Sequence, residues 1–430
     1  MTPPAQQPAR SSQLSEDMFA PALERKAHMF FDAISVVRDG HKTSYEERAL
    51  YAVYHEAGLL EDYLDLHGAA RNKRFHLIRE DVSGIKWIAQ ALSCLSLLKD
   101  GPNPYPSADA DWSELQLVSH VGISTSCLNA YLDGLFAQLS TSWLEAGLAA
   151  VSPKATGAAI HPPLPTLPSN LFGDEEEDGI LGDNSIASRY LSRFMRLFNS
   201  WDVAATTGLA GGDAGAFMKK YCTEAIARSF QSRVHNLQSD YDSYLRNTPQ
   251  ELAIPRLRKV RGAISECLHL LEAVTALTHL YERHHRDPHL SQVLPWPELV
   301  EVLANHLIFS AYNSLGSCMP LAQELLSGLT TSSSIEVSLS DSIEMHARPL
   351  SLIANVVKHH GLDVEIECAG RRANAASFMA MLVLIGSHPK TRTYSFHGDH
   401  AALADIEQLF ALGLGETGLG AVTKAFPFLK

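Results

Sequence analysis

Apolar residues recur at three- and four-residue steps through most of the chain and at two-residue steps only near its C-terminal end. The first period is that of a helix buried on one face, the second that of a half-buried strand. From Met18 to Leu326 the helical period dominates, as in Leu77, Ile78, Ile85, Ile88, Leu92 and Leu95, or Ile264, Leu268, Leu271 and Val274. A bundle of about seven or eight helices is expected there, some longer than the globular average. Residues 1–17 are rich in Pro, Gln and Ser and read as a disordered tail, because they offer too little apolar surface to offset the entropy of ordering. Gly101-Pro102-Asn103-Pro104-Tyr105-Pro106 should end one helix, since proline lacks the donor a helix interior needs. Residues 152–184, proline-rich and then acidic, are expected to form a long surface loop or an internal linker.

Small polar residues over 327–334 predict a flexible connector, and a mixed domain follows. Ile335, Val337 and Leu339 alternate with Glu336, Ser338 and Ser340, and Val364, Ile366 and Cys368 alternate with Glu365 and Glu367, which predicts two strands. Between them Leu350, Ile353 and Val357 mark the inner face of a helix that ends in Lys358, His359 and His360 before Gly361. Ala369-Gly370-Arg371 reads as a tight turn into a short third strand, and Ser377 to Ile385 as a second helix. A fourth strand carries Tyr394 and Phe396, and a last helix from Asp399 carries Leu403, Ile406 and Phe410. The fold class expected is therefore a mainly α-helical N-terminal region followed by an α+β C-terminal domain, βαββαβα, with helices on one face of an antiparallel sheet. That domain is set at 335–417, with 418–430 as a C-terminal tail.

The sharpest chemical signal is Met345-His346-Ala347-Arg348-Pro349, between the first strand and its helix. Pro349 suits a first helical turn, so His346 should stand just before a helix N-terminus, whose free N–H groups favour an anion. Arg348 adds a fixed charge with forked donors suited to phosphate. These residues together suit a phosphoryl group on His346; a surface histidine at a helix cap is the plainer alternative.

With the order of elements added, the C-terminal domain resembles HPr, the histidine-containing phosphocarrier protein of the bacterial sugar phosphotransferase system. The likeness rests on the MHARP segment, the ANAASFMAM segment at the second helix, the SFHGD segment after the fourth strand and the closing GLGE, and spans roughly 334–416. It implies that His346 accepts phosphate from enzyme I and passes it on to downstream phosphotransferase or regulatory proteins, with Arg348 in support. By the same resemblance Ser377 falls where many relatives carry a serine open to a regulatory kinase, although a helix N-cap explains it equally. Phe378, Met379 and Leu382 match partner-docking positions, and core packing is the alternative. Two departures stand out. Glu344 takes a place where the family usually has glycine; at about 5 Å its carboxylate would repel the phosphate by roughly 1–3 kcal/mol per unit charge. Ala376 stands where lysine is common.

Composition narrows the remaining options. Thirty-five Lys and Arg against 48 Asp and Glu give a formal charge of -13, which disfavours nucleic acid as a main partner. Six scattered cysteines without a C-x-x-C pair read as reduced thiols. A signal segment and an apolar run long enough to span a membrane are both missing from the pattern, so a cytoplasmic location is expected. Three further clusters are candidates. Asp65, His67, Arg71, Asn72, Arg74, Arg79 and Glu80 surround Gly68, as a ligand surface or a solvated junction. His279, Glu282, His284, His285 and His289 lack metal-ligand spacing and read as a charged helix end; no metal is expected. Gly208, Gly211, Gly212 and Gly215 lack the Lys-Ser/Thr of a phosphate loop and read as a hinge. No cofactor is called for, and the oligomeric state stays open. The function expected is an HPr-like phosphocarrier or regulatory module coupled to a helical domain, a carrier rather than a catalyst. The alternatives are a docking module that has lost transfer, and an enzyme with its site in the helical region.

Overall fold

The structure, a computed structural model, describes residues 14–39, 46–100, 114–150, 185–202, 209, 213–329, 332–340, 343–360, 363–416 and 418–429. The proposed break at 101–106, the loop at 152–184, and Gly208, Gly211 and Gly212 lie outside these residues.

The helical region starts earlier than its apolar pattern suggests. Ser15 takes an extended backbone and its hydroxyl accepts a hydrogen bond from the Met18 N–H, so the helix Glu16–Lys26 begins inside the expected tail. Long helices follow at Glu46–Leu66, His76–Asp100, Glu114–Glu145 and Leu257–His284. Their apolar stripes close on one another, and Ile78, Ile85, Ile88, Leu92, Ile264, Leu268 and Leu271 are all buried in one core. Short helices make the count exceed the seven or eight expected: Ala214–Tyr221, Pro249–Ala253, Trp296–Glu301, Phe309–Ser317 and Met319–Leu329 are separate elements. Periodicity alone does not separate such short helices. Local capping divides them, as where the Thr248 hydroxyl accepts from the Glu251 N–H and Pro249 opens the helix. Gly215 sits in the first turn of a helix capped by Asp213.

The C-terminal domain has its own core, distinct from the helical one. Strand β1 (Ser332–Ser338), the helix Ala347–His360, β2 (Val364–Cys368), β3 (Arg371–Asn374), the helix Phe378–Gly386, β4 (Thr393–Asp399) and the helix His400–Ala411 follow in that order. The strands lie as β1-β4-β2-β3, every pair antiparallel. Register places Val337 opposite Tyr394, and Phe396 between Ile335 and Ile366. Val337, Ile366, Cys368, Tyr394 and Phe396 are buried under Leu350, Ile353 and Val357 of the first helix and Leu403 and Ile406 of the last. The β2–β3 turn has positive φ at both Ala369 and Gly370, the conformation a two-residue hairpin requires. In β4, a Cβ at Gly398 would lie 2.9 Å from the Asp363 carbonyl oxygen, which is why the strand carries glycine there.

Two boundaries differ from the sequence reading. Helix Met319–Leu329 and strand β1 leave a far shorter connector than 327–334, because Ser332, Ser333 and Ser334 pair with Asp399, Gly398 and His397. The stretch 418–430 is not a tail in the described residues: Leu419–Ala425 is a helix whose Val422, with Phe426 beyond it, is buried in the C-terminal core. Leu419, Val422 and Phe426 stand at helical spacing there, over a stretch only two turns long.

Candidate functional site

His346 lies at the point where the chain enters the helix Ala347–His360; its carbonyl accepts the Leu350 N–H in the first helical turn. Pro349 occupies that turn, where its missing donor costs nothing. Ile343 on one side and Pro349 and Leu350 on the other are buried and anchor the segment, while the His346 side chain is 47% exposed. The Arg348 backbone N–H donates to His346 Nδ1 at 3.4 Å. With Nδ1 accepting, the ring proton of the neutral imidazole sits on Nε2.

Nε2 faces a carboxylate that sequence reasoning did not assign. Glu416 Oε1 lies 3.1 Å from His346 Nε2 and 3.6 Å from Arg348 Nη1. The GLGE segment brings it there: Gly413 and Gly415 both adopt positive φ, and so does Leu414, whose side chain is fully buried as an anchor. A sequence offers no periodic signal for a carboxylate delivered by such a turn. Glu344, the residue suspected of opposing a phosphate, is exposed. The arrangement is thus an imidazole with one nitrogen at a helix N-terminus and the other beside a carboxylate, with a guanidinium at its rim.

Ser377 caps the helix Phe378–Gly386, its hydroxyl accepting from the Ala380 N–H at 3.2 Å. The three docking candidates divide. Phe378 packs partly against the C-terminal core, whereas Met379 is 62% and Leu382 38% exposed. Val383, not singled out in the sequence, joins them at 64%. Together they form an apolar patch on one helix.

In the helical region two candidate clusters about 200 residues apart meet. Arg79 holds Asp65 through Nε and Nη2, both at 2.9 Å, and that hydrogen-bonded guanidinium keeps the Asp65 carboxyl below its usual range. Glu80 accepts from His284 at 2.6 Å, and His289 Nε2 lies 2.8 Å from Asp81. Burial would raise the Glu80 pKa, but the His284 and Arg79 contacts outweigh it and leave it lowered. Ser83 Oγ, 3.1 Å from His284 Nε2, completes a serine–histidine–carboxylate chain with Glu80. Ser83 is fully buried, so this chain is a structural network closed to substrate. Among the described residues, no group of three or more His, Cys, Asp or Glu side chains is placed to hold a metal ion.

The C-terminal region is an HPr-like α+β fold that follows a helical region. Residues 333–411 match the family model described as the PTS HPr component phosphorylation site, so the C-terminal region is HPr-like; the match does not reach the helical region. Domains of this type generally interact with phosphotransferase-system enzymes. No curated protein and no solved structure matches the chain. Among the described residues, no helix is long and apolar enough to cross a membrane.

Proposed function

We propose that His346 accepts and releases a phosphoryl group in a phosphotransferase-system pathway. The observation that carries this reading is His346 Nδ1 held at the N-terminus of the helix Ala347–His360 by the Arg348 N–H, on an exposed ring. The Nδ1 lone pair attacks phosphorus as the bond from phosphorus to the donor breaks, and the donor leaves with that bonding pair. Free N–H groups and the positive end of the helix meet the phosphate oxygens, with Arg348 adding charge. The proton stays on Nε2, where Glu416 stabilises the positive ring. Incubation with enzyme I and phosphoenolpyruvate should give an acid-labile phosphate that maps by mass spectrometry to the peptide containing His346. An unlabelled protein, or a label elsewhere, would remove the reading.

The patch of Met379, Leu382 and Val383 supports docking of the phosphoryl donor beside that site. Met379→Asp is expected to raise the KM for phosphorylation by enzyme I about tenfold or more while leaving kcat and the unfolding midpoint near wild type, because a charge there disrupts an apolar contact without touching the core. An unchanged KM would take the patch out of the docking surface.

A further inference from the structure

The helix Trp296–Glu301 runs into the helix Phe309–Ser317 through a π-helical turn, Val302–Ile308. Such a turn carries one residue more than the α-helical ladder accommodates, so contacts from outside the helix have to hold it. Two polar residues near its centre make them. Asn305 Oδ1 accepts the Leu209 N–H, and His306 Nδ1 lies 2.8 Å from Nδ1 of His120 on the helix Glu114–Glu145, which packs against the turn. Both rings are half-buried, their centres 4.9 Å apart, and Phe309 lies against His120.

Two ring nitrogens at that distance share one proton. One Nδ1 donates, the other accepts, and the accepting ring keeps its own proton on Nε2. A first added proton charges the donating ring at its Nε2 and leaves this hydrogen bond in place. A second puts an N–H on both facing nitrogens and sets two like charges side by side. The surroundings do little to relieve them. Burial, then the His120 charge, hold the His306 pKa below its ordinary value against the pull of Glu301, and burial lowers that of His120. The helix Phe309–Ser317 has no charged residue, and Glu298 is engaged by the Tyr131 hydroxyl at 3.3 Å. The helix Leu257–His284 meets Ile308 with Leu271 and Val274 in a pocket that also holds Asp202 and Lys220, opposite in charge.

We propose that the His120–His306 pair is an acid-opened clasp on the π turn: the shared proton fastens the turn to the helix Glu114–Glu145, and the second added proton releases it. Once released, the turn has lost its outside contact at His306 and can rewind towards α-helical register. Asn305 moves with its neighbour, so the hold on Leu209 loosens too. Both folded-state pKa values lie below the ordinary 6.5, so the contribution of the clasp is fully present above about pH 6.5 and is lost as pH falls towards the folded values. This device belongs to the helical domain and does not depend on the phosphoryl reading of His346.

Hydrogen exchange of the full chain at about pH 7.5 and about pH 5.5, corrected for the intrinsic pH dependence of exchange and read by mass spectrometry, follows the turn directly. Acidification should deprotect peptides covering Val302–Phe309 about tenfold or more in wild type. The same step should change His306→Gln and His120→Gln by less than about twofold, because the amide still hydrogen-bonds but takes no charge. Protection at Val302–Phe309 that does not respond to acid overturns the proposal, as does an equal response in both variants. Equal deprotection of the helix Glu46–Leu66 would mean that the whole domain loosens, and overturns it as well. Imidazole NMR of the wild-type chain tests the same pair without a substitution. His120 and His306 should titrate in two separated steps, the second below about pH 6.5, whereas two independent titrations near that value would leave no shared proton to open.

Discussion

His346→Ala is expected to abolish phosphate uptake from enzyme I, and Arg348→Ala to lower it about ten- to a hundredfold. The first removes the nucleophile. The second removes one charge-assisted contact to the phosphate, worth roughly 1.5–3 kcal/mol, and leaves Glu416 without the neighbouring cation 3.6 Å away that offsets its charge. Arg348→Lys should recover part of the rate, because a point charge restores attraction without the forked geometry. The backbone N–H that meets Nδ1 survives all Arg348 substitutions, so the residual rate in Arg348→Ala measures what the helix N-terminus supplies alone. Single-turnover phosphorylation followed by acid-labile label checks each. A rate in Arg348→Ala equal to wild type would place the guanidinium outside the phosphate's reach, and label retained in His346→Ala would move the chemistry to another residue.

How far the geometry of this candidate site was legible depends on whether each residue's placement follows from its neighbours in sequence. His346 and Arg348 were, because a strand, a proline-marked helix start and a charged residue all fall within a few positions. Glu416 was not. It lies 70 residues away and is aimed by a turn whose geometry comes from positive φ at Gly413, Leu414 and Gly415. Glu344 illustrates the converse: proximity in sequence placed its carboxylate near the ring, whereas its side chain faces solvent. In the fold, strands β1 and β2 follow directly from two-residue alternation and β3 from the Ala369-Gly370 turn, while the buried segment around Val422 and Phe426 is too short for its helical spacing to stand out. The two polar clusters of the helical region were each visible as composition. Their junction through Glu80–His284 and Asp81–His289 needs the packing of the helix Leu257–His284 against His76–Asp100, which periodicity alone does not specify.

That junction carries the largest stability effect expected in the helical domain. Asp81 is fully buried, and its Oδ1 accepts from Gln138 at 2.9 Å and meets His289 Nε2 at 2.8 Å. Asp81→Ala leaves both partners facing a void, and breaking a buried charged pair from one side costs about 3–5 kcal/mol. The loss should appear in the unfolding transition of the helical domain and spare that of the C-terminal domain, whose core is separate. The pH dependence gives a sharper criterion. The hydrogen bond that His289 donates to Asp81 raises the His289 pKa above its ordinary 6.5, against the opposing effect of burial. A raised folded-state value means that the stabilisation is fully present below about pH 6.5, where the unfolded histidine is also protonated, and is lost as pH rises through the folded value. Asp81→Asn keeps the shape and removes the charge, so its deficit relative to wild type should be greatest below pH 6.5 and shrink above it. Urea titrations from pH 5 to 9 read this directly; a deficit that stays constant across the range would mean that Asp81 holds His289 as a neutral hydrogen-bond partner and contributes no ion pair.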